Sequence, residues 1–293
     1  MLFVPQLFTG HRGQNTSGLS PRLWAKVYSS VMAPDGGERL VFVSDDFNAV
    51  VAGNSSTEIY SDVNYTGYID TSNTITGLAD EVGGVIALTT DATDNDEVWI
   101  QSGDDTSVLG AISDTAGSDF LTVFECRVKV SSIADDVVSA FCGLAEEALA
   151  AADTKANDTG ILADKDYIGF DCVHTNGGTA GTNAAVNFVY RLSGQTAVEK
   201  IAGVHTWVAD DFVKLGFIYD PSADTSKRIK VFVNNTEQST YVTGTNIATA
   251  TGSAFPDGEE LQALFGHKNG SAAAGELAID WWAFAQVIKP ATN

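Results

Sequence analysis

Positive charge is what this sequence has least of. Lys and Arg total 16 against 38 Asp and Glu in 293 residues, a formal net charge of -22. Nucleic-acid binding draws its affinity from Lys and Arg neutralising phosphates, so nucleic acid is not an expected partner. The plain reading of the acidity is a well-solvated surface that stays soluble at high local concentration. Cysteine is also scarce. Cys126, Cys142 and Cys172 each lie in an apolar run without CxxC spacing. An odd count in that setting argues against a disulfide framework and a zinc site, and all three read as core.

Long apolar runs are missing too. None approaches the roughly eighteen residues of a membrane span. The opening MLFVPQLFTGHRGQ has no basic stretch ahead of a long apolar one, so the expectation is a chain made in the cytosol, without a classical export signal and without a membrane partner. Catalytic signatures are absent as well. The Glu-x-Asp-x-x-Glu run of sandwich glucanases, which would set two carboxylates across a groove, does not occur, and Asp280 stands alone among aromatics. There is no Gly-x-Ser-x-Gly elbow and no phosphate-cradling glycine pattern. His11, His174, His205 and His267 are scattered without metal-ligand spacing. The expectation is no catalytic residue, no cofactor and no metal. The nearest approach to a metal site is Asp91, Asp94, Asn95, Asp96 and Glu97, since calcium favours clustered carboxylates on a turn. The run lacks EF-hand order, and a solvated hairpin turn is the favoured reading. Asp135 and Asp136 read the same way.

What is present is strand after strand. In 120–130, Phe124, Cys126, Val128 and Val130 alternate with Glu125, Arg127 and Lys129, the period of a half-buried strand. After an acidic turn over 131–136, residues 137–144 are apolar on both sides, as in a strand covered on both faces. The pair reads as a hairpin. Further strands are expected over 85–89, 97–101, 167–174, 185–192, 212–219, 228–233, 261–266 and 277–288, joined by turns rich in Gly, Asn, Asp, Ser and Thr. Residues 144–155 alone have helix-favouring composition, expected as a short helix or turn. In the last strand, Leu277, Ile279, Trp281, Ala283, Ala285 and Val287 fall on one face, and Asp280, Trp282 and Phe284 on the other. The expected class is all-β, a two-sheet antiparallel β-sandwich or jelly roll with an extended N-terminal arm. Residues 1–44 form the arm and 45–293 the domain.

The arm has its own texture. Large apolar residues (Leu7, Phe8, Leu23, Trp24, Tyr28) flank GHRGQNTSGLSPR, and Arg12, Arg22, Lys26 and Arg39 concentrate basic charge there. Such a segment finds its partner elsewhere, on another chain or as a strap across its own sheet. Both readings stay open.

A set of phrases in fixed order resembles a known family. SDDFN at 44–48, GGVIALTT at 83–90, FECRVKVSSI at 124–133, FCGLAEE at 141–147, KDYIGFD at 165–171, WVADDFVKLGFIYD at 207–220, KVFVNN at 230–235 and ELAIDWWAFAQV at 276–287 look like the concanavalin A-like structural proteins of tailed bacteriophages. The resemblance implies a lectin/glucanase-type jelly roll acting as a capsid decoration or cement protein on the virion's outer surface, assembled in the host cytoplasm. Its implied partners are the major capsid protein and neighbouring copies of itself, with a trimer favoured. Leu7, Phe8, Arg12, Arg22, Leu23, Trp24 and Tyr28 would then be the contact residues. The legume-lectin metal-loop pattern is missing, so calcium-dependent sugar binding does not carry over. The alternatives are a carbohydrate-binding module on a virion surface, with Trp207, Trp281, Trp282 and Phe284 as stacking platforms for surface glycans, and a glycoside hydrolase.

Overall fold

Two antiparallel sheets face each other across one core in the computed structural model, which describes residues 18–31, 39–48, 58–78, 83–103, 108–115, 120–134, 136–157, 160–173, 185–195, 198–247 and 254–288. In chain order the elements are α1 (Pro21–Val31), β1 (Arg39–Asp45), β2 (Glu58–Tyr60), β3 (Asn64–Ile69), β4 (Thr74–Gly77), β5 (Ile86–Thr89), β6 (Glu97–Ser102), β7 (Gly110–Ile112), β8 (Leu121–Val130) and β9 (Ser139–Ala145). They continue with β10 (Tyr167–Asp171), β11 (Ala185–Arg191), β12 (Val198–Thr206), β13 (Val213–Tyr219), β14 (Ile229–Val233), β15 (Thr236–Glu237), α2 (Gly244–Ile247), β16 (Glu259–Lys268) and β17 (Glu276–Ile288). The first sheet runs β15-β14-β13-β8-β17-β5-β4, with β1 also on β17; the second runs β12-β11-β10-β9-β16-β6-β3-β2, with β7 on β16. The expected all-β sandwich is therefore observed.

The proposed hairpin is not one. β8 pairs with β13 and β17, whereas β9 pairs with β10 and β16 in the opposite sheet. The chain thus passes from one sheet to the other between β8 and β9 instead of turning back on itself. Alternation reports which face of a strand is buried but not which strand lies beside it, and sheets stack only about 10 Å apart. The consequence is that Cys126 and Cys142 come from opposite sheets into the same core, with the Cys126 thiol contacting Cys142 and donating to the Leu215 carbonyl at 3.7 Å. All three cysteines are buried thiols outside any disulfide, as expected of core residues.

The last strand also departs from strict alternation. Its register against β8 skips Asp280, pairing Ile279 with Val128 and Trp281 with Arg127. This β-bulge moves the following side chains to the other face. Leu277, Ile279, Trp282 and Phe284 point into the central core, while Trp281, Ala283, Ala285 and Val287 form the outer face. The bulged Asp280 carboxylate pairs with the Arg127 guanidinium.

Of residues 144–155, the expected helix or turn, Leu144 and Ala145 end β9 and those that follow form turns, and the longest helix among the described residues lies in the arm instead. Pro21 suits a first helical position, where no N–H is needed, and Trp24 N–H donates to Ser20 O at 3.1 Å to close the first turn. Leu23, Trp24 and Val27 then share one buried face. Arg39–Asp45, mostly within the span read as arm, pairs along its whole length with β17.

Candidate functional site

The outer face of the first sheet is where the arm's expected contact residues lead. Leu23, Trp24 and Val27 pack on Val123, Ile218, Phe232 and the Ala283–Val287 face of β17, and Trp24 meets Phe42 edge-on at 5.8 Å. Gly216 permits this approach, since any side chain there would overlap Leu23. The apolar contact surrounds a polar centre. Glu125, 1% exposed, accepts the Trp24 indole N–H at 2.7 Å and the Ser20 N–H at 3.0 Å. Burial pushes its carboxyl above the usual range, opposed by hydrogen bonds from Ser20 and Trp24 and by the charge of Lys214. Burial likewise lowers the Lys214 amine, whose Nζ donates to Gly18 O at 2.8 Å. At the rim Lys26 pairs with Asp220, and Arg22 N–H donates to Asn235 Oδ1 at 3.2 Å. Leu23 and Trp24 are thus buried on the chain's own sheet, Arg22 and Tyr28 are exposed, and Leu7, Phe8 and Arg12 lie outside the described residues.

The outer face of the second sheet is covered too. β6, β16, β9 and β10 turn Trp99, Leu264, Phe141 and Tyr167 outward, and the connection 146–166 lays Leu149 and Leu162 over them. Gly266 leaves room for the Trp99 ring beside it. Two lysines are fully buried here, Lys155 from the connection itself and Lys268 from the end of β16. Lys155 Nζ lies 2.5 Å from Asp171 Oδ1 and donates to Ser139 Oγ at 2.9 Å and Cys172 O at 3.2 Å. Lys268 Nζ donates to Lys155 O at 2.9 Å and lies 3.7 Å from Glu97 and 3.5 Å from Asp153. Glu97 also accepts the Trp99 indole N–H at 2.9 Å. Burial raises the carboxyls of Glu97 and Asp171, with the lysine charges opposing it. On this face Glu97 and Asp171 act as ion-pair acceptors, each held by a cation and by hydrogen bonds.

The aromatic candidates for sugar stacking are mostly interior. Trp282 and Phe284 are 1% exposed and Trp207 3%, while Trp281 is half-buried in the cluster under α1. Trp282 Nε1–H donates to Tyr65 Oη at 2.7 Å, and Tyr65 in turn donates to Asp45 at 2.8 Å. His267 is fully buried, and its neutral form is favoured because burial lowers its pKa to about 4. His205 stacks edge-on against Trp207, and His11 and His174 lie outside the described residues.

The acidic turn divides. Glu97 joins the lysine network, Asp94 is exposed, and Asp91 and Asp96 stay together in the turn. Asn269, from the far end of β16, enters this turn: its N–H donates to Asp96 O at 3.0 Å, and its Nδ2 donates to Asp91 O at 3.1 Å and Thr93 O at 2.9 Å. Burial, the hydrogen bond to Asp91 and the charges of Asp70 and Asp91 push the Asp96 carboxyl up to about 7. No sequence pattern announces Asn269, because its relation to the turn is purely tertiary. A second acidic group, Asp45, Asp46 and Asp62, holds ligand oxygens within 4.8 Å of one another. There Asp45 already accepts from Phe47 N, Ser61 Oγ, Val63 N and Tyr65 Oη.

No protein-family model matches the chain, and no curated protein matches it in sequence. Solved structures do. Peanut lectin aligns with a TM-score of 0.52 and 16% identity over 86% of this chain and 100% of its own. Basic winged bean lectin aligns with a TM-score of 0.51 and 10% identity over 85% of this chain and 98% of its own. The fold is the concanavalin A-like jelly roll. At such identities the likeness concerns fold alone, and a fold of this kind hosts many functions. In this jelly roll, α1 packs on one outer sheet face, and Leu149, Ala150, Leu162 and Ala163 pack on the other.

Proposed function

We propose that the protein is a non-enzymatic structural component of a tailed-phage virion, decorating or cementing the outer capsid surface. The observation that carries this reading is the covered face of the second sheet, where Glu97 and Asp171 are bound to buried lysines under residues 146–166. A hydrolase of this architecture needs two carboxylates free to meet a substrate across a groove; these two are committed to ion pairs. Burial of Trp207, Trp282 and Phe284 likewise argues against a stacking platform for glycans. The ordered phrases that resemble those of phage structural proteins support this class, and the charge of -22 suits a shell's outside better than a DNA-lined interior. Many modest contacts repeated over a symmetric lattice would give resistance to internal pressure.

The test is direct. Purified protein mixed with undecorated heads of a phage that carries it should bind at a fixed copy number per head, and light scattering should report an oligomer, a trimer being favoured. A variant lacking residues 1–17 keeps the docked helix and should lose head binding. Absence of head binding together with reproducible hits on a glycan array would replace this reading by the carbohydrate-binding one. Release of reducing ends from a polysaccharide panel would replace it by hydrolysis.

A further inference from the structure

The turn between β5 and β6 holds more oxygen than its donors satisfy. Asp96 is 6% exposed and Asn269 fully buried, yet no donor serves Asn269 Oδ1, and none serves Asp96 Oδ2 apart from a proton shared between the Asp96 and Asp91 carboxyls. Orphaned buried acceptors of this kind cost on the order of 1–3 kcal/mol each, more when charged. An amide flip does not relieve the asparagine. Its Nδ2 donates to three carbonyls, those of Asp91, Thr93 and Ala273, and an oxygen in that place would face acceptors on every side. The orientation is fixed, and with it the unsatisfied Oδ1.

The carboxylates of the turn that the Asn269 side chain enters repel one another when ionised. Asp91 and Asp96 are adjacent, and the charge of Asp70 bears on Asp96 as well. On the other side, Asp91 Oδ1 is oriented by the Thr93 N–H at 2.7 Å. Two carboxylates close enough to share a proton, with a buried amide oxygen that no donor serves on the residue entering their turn, form the kind of hard set that calcium completes with further oxygens and water. The residues reach the turn by independent routes. Asn269 enters from β16, held by main-chain and side-chain hydrogen bonds to 91–96, so the set is built by the fold and not by the local sequence alone.

We propose that this turn binds one divalent cation, calcium, through Asp91, Asp96 and Asn269 Oδ1. Calorimetric titration of the full chain with CaCl2, after EDTA treatment and dialysis, should show one saturable site per chain. Calcium should also raise the unfolding temperature. Asp96→Asn and Asp91→Asn should each weaken binding at least about tenfold. Asp94→Asn, in the exposed part of the turn, should leave it unchanged. So should Asp46→Asn, which reports on the other acidic group. If Asp96→Asn fails to fold, Asp91→Asn at the half-exposed position provides the same readout. No calcium heat and no thermal shift in the wild type would overturn the proposal and leave a shared proton between the two carboxyls as the explanation. Binding that survives both turn variants, or is abolished by Asp46→Asn, would also overturn it.

Discussion

The indole N–H of Trp24 donates to Glu125 Oε2 at 2.7 Å, across 101 positions of sequence. This bond fixes α1 to β8 and places a carboxylate, instead of an apolar residue, at the centre of the helix's footprint. The same Oε2 takes the Ser20 N–H at the helix start. Replacing Trp24 by Phe retains most of the packing but leaves Glu125 short of a donor, an expected cost of about 1–3 kcal/mol. Trp24→Ala should cost about 3–5 kcal/mol, because a cavity is added. Urea denaturation of the two variants checks the order. Equal losses would mean that the hydrogen bond contributes little.

Much of this architecture is legible in the residues, but not its partnerships. The alternation of Glu125, Arg127 and Lys129 with Cys126 and Val128 correctly marks β8 as a strand. The pairing of β8 with β13 depends on chain nearly ninety residues away, such as Leu215 opposite Cys126. The bulge at Asp280 is invisible for a similar reason: one unpaired residue changes the face of Trp281 and Trp282 without changing composition. Helix α1 was concealed by the Gly- and Ser-rich stretch before it, although Ser20-Pro21 is a recognisable helix start. Asp91 and Asp96 could be singled out as possible ligands from clustering alone. Asn269 could not, since it reaches them only through the sandwich.

The buried Lys155–Asp171 pair makes a sharper prediction about interior charge. Removing the lysine alone, as Lys155→Met, leaves an uncompensated buried carboxylate and should cost about 3–5 kcal/mol. The double variant Lys155→Met, Asp171→Leu removes both charges and should recover at least half of that loss, since replacing a buried ion pair by apolar groups is often near neutral. Chemical denaturation of the single and double variants measures the coupling. Additive losses would show that the lysine is retained for its bonds to Ser139 and the Cys172 carbonyl, not for the aspartate.

His267 sets the acid side of the stability curve. Its Nε2 lies 3.1 Å from the Leu88 carbonyl, which can only accept, so Nε2 carries the proton of a neutral ring. Burial lowers its pKa from 6.5 to about 4. The unfolded chain therefore gains a proton first as pH falls, and the contribution present above 6.5 is lost progressively down to about 4. The full effect is on the order of 3 kcal/mol. His267→Gln should flatten this part of a stability-against-pH series. A wild-type slope unchanged by the substitution would assign acid sensitivity to other groups.

Asp96 shapes the opposite limb, and there calcium and protons compete for the same oxygens. Burial and the neighbouring carboxylates raise its pKa from 3.8 to about 7. A raised acid pKa means that the folded chain keeps a proton the unfolded chain releases. The associated stability is complete below 3.8 and disappears as pH rises through about 7, a loss of roughly 4 kcal/mol at most. In EDTA, wild type should weaken between pH 5 and pH 8, and Asp96→Asn should not. With CaCl2 present, wild type at pH 8 should regain stability by mass action as the cation replaces the proton, and calcium affinity should rise over the same interval. Unfolding midpoints at pH 5 and pH 8, each with EDTA and with CaCl2, separate the effects. Parallel behaviour of wild type and Asp96→Asn in all four conditions would mean that the Asp96 carboxyl binds neither.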